Sequence, residues 1–181
     1  MKSIEDQIRF SAEKALKSES KSIDLLATNL PQGLPRFILR VIEIKGRVIV
    51  SGVGKSGHIG KKIASTLAST GTPSFFIHPT EASHGDLGMI QKEDICLLIS
   101  NSGEASEFYD ILNFIKKTSI QMAAISSNPE STLMKAASFK LTIPQSEEVC
   151  PIGLAPTTSA ILTLAIGDAI AVSLMEQRNF N

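Results

Sequence analysis

Ser51-Gly52-Val53-Gly54-Lys55-Ser56-Gly57 follows an apolar, β-like run and opens a helical pattern. Ser100-Asn101-Ser102-Gly103-Glu104 repeats that arrangement after Ile95-Cys96-Leu97-Leu98-Ile99. Uninterrupted apolar runs of this kind arise where helices cover both faces of a parallel sheet. Open sheets of that class carry their ligands at the carboxyl ends of the strands, where both loops fall. Glycine lets the backbone approach an anion, serine hydroxyls donate to its oxygens, and a helix N-terminus adds unpaired N–H groups and a favourable dipole. The pair of loops therefore predicts an α/β domain that holds a phosphorylated small molecule.

Outward from these loops, strand-like and helical segments alternate. Apolar residues at helical spacing run over residues 3–26, Pro31 and Pro35 interrupt them, and a short helix is expected over 36–44. Strands are expected at 48–51, 74–77, 95–100, 121–126 and 139–143. Helices are expected at 56–70, 105–118, 131–137 and 157–175, with an irregular stretch after the second strand as far as Met89. The fold class is α/β: a three-layer, doubly wound, five-stranded parallel sheet. Residues 1–45 read as a helical arm packing on the domain or on another subunit, and residues 46–181 as the ligand-binding domain. The last helix is apolar all round, which implies burial in the core or against a second copy, and a homo-oligomer is expected.

Composition narrows the function. The 181 residues are 43% hydrophobic, enough for one well-buried domain, and Lys+Arg balance Asp+Glu at 18 each. With no net charge, no Trp and one Tyr, neither a nucleic-acid surface nor an anionic-membrane surface is expected. Cys96 and Cys150 are too few and too far apart for a disulfide framework or a zinc knuckle. The N-terminus lacks a signal-peptide core, no run reads as a membrane span, and a reducing cytoplasm is the expected setting.

Gly52-Val53-Gly54-Lys55-Ser56-Gly57 matches the dinucleotide fingerprint G-x-G-x-x-G. Against a nicotinamide cofactor, the next strand ends in Ile77-His78-Pro79 with no acid for ribose hydroxyls, and a lysine interrupts the loop. A phosphate-binding Walker loop fails because position 49 is isoleucine. A lone glycine loop can also be a tight turn without a ligand, a reading that the second loop weakens. Lys55 is either a solvated charge or a partner for negative charge developing on a substrate oxygen. His84 lies in the polar segment Glu81-Ala82-Ser83-His84-Gly85-Asp86-Leu87-Gly88, as loop chemistry or as an acid/base. His78 is a cap or, with His84, a weak metal pair, and His58 a polar contact at the start of a helix. Glu104 and Glu107 fall in a first helical turn, where carboxylates favour the dipole anyway. Glu148 follows the fifth strand, and Thr157-Thr158-Ser159 read as capping residues or as added hydroxyl contacts to the ligand.

Six blocks occur in order: Gly52-Val53-Gly54-Lys55-Ser56-Gly57-His58-Ile59-Gly60; Ala68-Ser69-Thr70-Gly71-Thr72-Pro73-Ser74-Phe75-Phe76; His78-Pro79; His84-Gly85-Asp86-Leu87-Gly88; Ser100-Asn101-Ser102-Gly103-Glu104; and Cys150-Pro151-Ile152-Gly153-Leu154-Ala155-Pro156-Thr157-Thr158. Together they resemble the D-arabinose 5-phosphate isomerases of the sugar isomerase (SIS) domain superfamily. The resemblance runs from about residue 40 to the end, and weakly through the preceding helices. It implies a tetramer with sites at subunit contacts. The implied reaction interconverts D-ribulose 5-phosphate and D-arabinose 5-phosphate and feeds synthesis of Kdo for lipopolysaccharide or capsule. Carried over by position, Lys55, Glu107 and Glu148 are implied to be catalytic. His84 is implied to contact substrate, His78 to bind an inhibitory zinc, and Gly71 and Thr72 to lie in the substrate region. No cofactor is required. Members of the family typically continue into a segment with a further functional histidine and a pair of CBS domains. This sequence stops at Asn181, before both, and is expected to be a truncated or short form.

An aldose–ketose isomerase needs an anchored phosphate, a carboxylate base and a positive group at the incipient enediolate. The phosphate is expected on Ser100, Ser102 and the N–H groups opening the helix at Ala105, aided by Thr157, with Ser51 and Asn101 also near the ligand. Glu148 is the expected base because it follows a strand and serves no obvious helix cap, with Glu107 second. Lys55 would stabilise the enediolate, and His84 would assist ring opening or relay protons. The alternative is a phosphosugar sensor that keeps the loops without the catalysis.

Overall fold

The computed structural model describes residues 3–178; Met1, Lys2 and the last three residues, where the sequence stops, lie outside the described residues. Five parallel strands, β1 (Val48–Gly52), β2 (Ser74–Phe76), β3 (Ile95–Ile99), β4 (Met122–Ser126) and β5 (Phe139–Thr142), form one sheet in the order β2-β1-β3-β4-β5. Val48 pairs with both Ser74 and Ile95, Cys96 with Met122, and Ala123 with Phe139. The helices are α1 (Ile4–Thr28), α2 (Leu34–Glu43), α3 (Gly54–Ser69), α4 (Pro79–Ser83), α5 (Tyr109–Thr118), α6 (Thr132–Ala136) and α7 (Thr158–Gln177).

Side chains alternate across a strand, so an element buried on both faces has no polar position to offer. In β3, Ile95, Leu97 and Ile99 enter one core with Phe37, Val41, Ile63, Leu67, Leu162 and Ile170 of the layer α1–α2–α3–α7. Cys96 and Leu98 enter the other core, with Phe108, Ile111 and Ile115 beside α5, Leu133 and Met134 of α6, and Ala82 of α4. The two layers thus hold different loops: the one after β1 leads into α3, and the one after β3 leads toward α5. Strand order reverses between β1 and β3, and their carboxyl ends flank the crevice where open α/β sheets bind ligands.

At the opposite, amino edge, Asp94 is buried and fully engaged. Its Oδ1 accepts from the Arg47 backbone N–H (2.7 Å) and Nε (3.2 Å), and its Oδ2 from Arg47 Nη2 (2.9 Å) and the Gln91 N–H (2.8 Å). Burial pushes this carboxyl up, but the guanidinium and the two amides outweigh it and hold it below the usual range. The Arg47 guanidinium also lies 4.7 Å from the centre of the Phe75 ring.

Three expectations need correction. The stretch after β2 is ordered as α4 and a 3-10 turn over Asp86–Met89, because Pro79 sits at the first helical position and the His78 Nδ1 caps it by accepting the Thr80 N–H at 3.3 Å. The helix expected from Ala105 begins as a 3-10 turn, Ser106–Phe108, and becomes α-helical only at Tyr109. Finally, α7, with 20 residues, is long and apolar enough by length and composition to cross a membrane; half of its apolar window is buried here, against α1, α2 and α3. Close packing with α3 is enforced at Gly167, where an added Cβ would come within 2.4 Å of the Ile63 side chain.

Candidate functional site

The turn from β1 into α3 is too tight for side chains. A Cβ on Gly57 would approach the Gly52 carbonyl oxygen to 2.6 Å, and Gly54 has φ +56°, in the left-handed region that glycine adopts without strain. The G-x-G-x-x-G spacing is thus met by backbone geometry, and α3 starts at Gly54, two residues earlier than expected. Among the described residues no side chain caps this N-terminus. It opens onto a cleft of about 430 Å³ whose lining includes Lys55, Ser56, Asn101, Ser127, Glu148 and Ser159. Loops after β1, β3, β4 and β5 and the first turns of α7 therefore meet at one place on the carboxyl edge. Among the described residues, Lys55 and Glu148 are the only charged side chains lining it. A larger groove of about 950 Å³ between the α1–α2 turn and β5 is lined by Arg36 and Lys140 and, among the described residues, by no carboxylate, so the acid–base pair belongs to the smaller cleft.

Glu148 is half-buried and does serve a helix cap, contrary to the expectation that singled it out. Its Oε2 accepts from the Thr157 N–H (2.7 Å), the Thr157 hydroxyl (2.9 Å) and the Ser159 N–H (3.3 Å), and its Oε1 accepts from the Ser159 hydroxyl. The carboxylate sits on the positive end of α7, where helices favour anions. Burial pushes its pKa up. The four hydrogen bonds, led by that from the Ser159 hydroxyl, outweigh burial and hold it below the usual carboxylate value.

The remaining candidates divide. Asn101 reaches the cleft from the second loop. Ser100 is buried with its Oγ accepting the Gly103 N–H at 3.0 Å, and Ser102 is exposed with its Oγ accepting the Glu104 N–H at 3.3 Å; neither lines the cleft, although each hydroxyl keeps its proton to donate. Thr157 cannot serve a phosphate in this arrangement, because its N–H and hydroxyl are spent on Glu148. Ser51 is buried and donates to the Ile77 carbonyl at 2.7 Å, tying β1 to the end of β2. Glu104 does not serve its own turn: it crosses to α6 and accepts the Thr132 N–H (2.9 Å) and hydroxyl (2.7 Å).

Exposed His84, the C-cap of α4, and exposed Glu107, in the 3-10 turn packed against α4, share the other layer and do not line the Lys55–Glu148 cleft. Exposed His58 is within α3. Gly71 and Thr72 precede β2 and so lie at the amino edge, across the sheet from the cleft; the buried Thr72 hydroxyl has no hydrogen-bond partner among the described residues. His78 offers one imidazole, and no three His, Cys, Asp or Glu side chains gather as a metal site among the described residues. One ligand does not make a zinc shell.

Sequence reasoning missed Ser127, Gln145 and Ser146 as cleft residues, and read Ser159 as a cap or a ligand hydroxyl without linking it to Glu148. Ser127-Asn128 follows β4, which itself ends in Ser126, as Ser100-Asn101-Ser102 follows β3, so the same rule applied a third time finds Ser127.

Residues 42–173 match the SIS domain family. The chain is 48% identical over 170 residues to the arabinose 5-phosphate isomerase KdsD of Pseudomonas aeruginosa. It is also 48% identical over 171 residues to the arabinose 5-phosphate isomerase KpsF of Escherichia coli. Each alignment covers 94% of this chain and 52% of the relative, so the chain spans about half the length of the curated relatives it matches. The solved structure of an E. coli CFT073 protein in complex with arabinose 5-phosphate superposes with a TM-score of 0.94 at 37% identity, covering 99% of this chain and 95% of that one.

Proposed function

This chain belongs to the SIS domain family, and on that premise we propose that it is an aldose–ketose isomerase acting on D-arabinose 5-phosphate and D-ribulose 5-phosphate. The observation that carries the reading is the pairing of one ammonium, Lys55, with one carboxylate, Glu148, in a small cleft at the switch point of the sheet. The relatives named as arabinose 5-phosphate isomerases direct the choice of substrate.

The chemistry runs through a cis-enediolate and needs no redox step. Glu148 removes the proton from C2 of the open-chain aldose. The C–H electron pair becomes the C1–C2 double bond, and the carbonyl pair moves onto O1, where Lys55 and the uncapped start of α3 stabilise it. Return of the proton to C1 and transfer of the O2 proton to O1 complete the ketose. The phosphate end extends toward the loop 100–104, where Ser102 is exposed beside the cleft residue Asn101. Glu148 is preferred to Glu107 as base because only Glu148 shares a cavity with Lys55. His84, in the other layer, is assigned to ring opening or proton relay and not to the first proton abstraction. His78 is assigned at most one bond to an inhibitory zinc.

Self-assembly, as a tetramer, is part of the reading. Ile4, Ile8 and Leu16 of α1 and Ile152 and Leu154 beside the cleft are exposed, which favours cover by another copy. The place assigned is the cytoplasm, upstream of Kdo, and the free thiols of Cys96 and Cys150 accord with a reducing compartment.

The test is to incubate the chain with D-ribulose 5-phosphate in D2O, with and without chelator, and follow the aldose by NMR. Conversion with solvent deuterium entering at the exchanging carbon is expected, and Lys55→Met is expected to lower kcat by about 10²–10³-fold. Saturable binding without conversion or exchange would replace the isomerase with a phosphosugar sensor.

A further inference from the structure

Glu148 has two oxygens with about two acceptor sites each. Oε2 receives three donors, and Oε1 receives one, the Ser159 hydroxyl. Among the described residues a single acceptor site on the carboxylate is therefore left free, and it is on Oε1. The donors are fixed as well. The Thr157 hydroxyl accepts the Val149 N–H at 3.1 Å, so its one proton is directed at Glu148, and the Ser159 turn is tied down by the Thr163 hydroxyl donating to the Ser159 carbonyl at 2.9 Å. Ser159 is buried and, like Thr163, borders the cleft.

We infer that Ser159 is a positioning residue for the isomerisation, its hydroxyl holding Glu148 so that Oε1 is the atom that takes the proton from carbon. The inference rests on the isomerase reading. In the step, the C2–H bond breaks, an O–H bond forms at the open site of Oε1, and the Ser159 O–H bond stays intact. Thr157 and the two amides hold Oε2 and keep the carboxyl from rotating, so the same oxygen returns the proton to C1. The Ser159 bond also sets basicity: a donor aimed at the charged form favours it, and removing that donor raises the pKa. The charged group facing Glu148 across the cleft is Lys55, from α3. Along the same loop stand Glu147 and Cys150, while Lys62 of α3 is engaged by Asp168 of α7.

The experiment compares the full chain with Ser159→Ala and Ser159→Thr. Ser159→Ala is expected to lower kcat on the alkaline plateau by about 10-fold or more, as misplaced catalytic groups do. It is also expected to move the acid limb of kcat/KM to higher pH, while Ser159→Thr, which keeps the hydroxyl, restores both. Carboxyl NMR titration of Glu148 is expected to show the same upward move without any turnover. Should Ser159→Ala fail to fold, Ser159→Cys keeps the volume with a weaker donor and is expected to shift the limb in the same direction. An active wild type with an unchanged limb and plateau in folded Ser159→Ala or Ser159→Cys overturns the role of Ser159 alone. A wild type that converts no pentose phosphate overturns the isomerase reading, and in that case the NMR titration still reports whether Ser159 governs the Glu148 carboxyl.

Discussion

Asp94 at the amino edge and Glu148 at the carboxyl edge are both held below the usual carboxylate pKa against the effect of burial, by different means. Asp94 is paired to a guanidinium and accepts two donors on each oxygen, which leaves it no capacity for a proton or a ligand. Glu148 is held by neutral hydroxyls and amides, keeps one acceptor site, and has its cation placed across a cleft instead of in contact. A carboxylate that is saturated and charge-paired stabilises a fold. One that is fixed but unsaturated has a place for a proton to go.

The largest effect expected from breaking this contrast is at Glu148. Glutamine preserves shape, and its single oxygen can keep the three donors of Oε2 while its NH2 donates to a reoriented Ser159 hydroxyl. It cannot take a proton from carbon, so Glu148→Gln is expected to lower kcat by about 10²–10⁴-fold with a small change in melting temperature. Near-wild-type turnover would move the base elsewhere, with Glu107 the next candidate. The mirror experiment is Arg47→Met, which strands the buried Asp94 carboxylate. A cost of about 3 kcal/mol in urea unfolding is expected, with turnover per folded molecule unchanged. Asp94→Asn is expected to be milder, because it leaves an arginine whose side chain is 37% exposed and open to water.

The two carboxylates also set the response to acid. Each has a folded pKa below its unfolded value, so each contributes stability that is complete above the unfolded pKa and lost as pH falls through the folded one. The urea midpoint is therefore expected to be flat near neutrality and to fall below about pH 4. Asp94→Asn should flatten that fall without moving the acid limb of activity. A limb that moves with Asp94→Asn would mean that the two edges are coupled.

The strands and most helix spans were legible in the sequence because burial on both faces leaves a continuous apolar run, as in Ile95-Cys96-Leu97-Leu98-Ile99. The two loops were legible because Gly52, Gly54 and Gly57 answer to backbone geometry. The division of the candidates was not. Lys55 follows β1 and Glu107 follows β3, and loop chemistry alone places both at the carboxyl edge. Only the strand order, with its reversal between β1 and β3, sends their helices to opposite layers, since crossovers keep one hand. Glu148 was misread for a related reason. It caps a helix whose N-cap residue, Thr157, lies nine residues later, a distance that capping motifs of three or four residues do not reveal.

Glu104 supplies the control that sharpens the contrast. Like Glu148 it accepts only neutral donors, a hydroxyl and an amide of Thr132 at the start of a helix, and these draw its pKa down in the same direction. Unlike Glu148 it is exposed and lies outside the cleft. If capping by neutral donors were by itself the catalytic device, Glu104→Gln would disturb the pH profile. If fixation beside Lys55 is what counts, the variant keeps the wild-type acid limb and plateau, and its melting temperature falls by far less than that of Arg47→Met. The second outcome is expected, because water around an exposed carboxylate replaces lost hydrogen bonds and screens its charge, whereas at Glu148 the donors come from the protein on a half-buried turn.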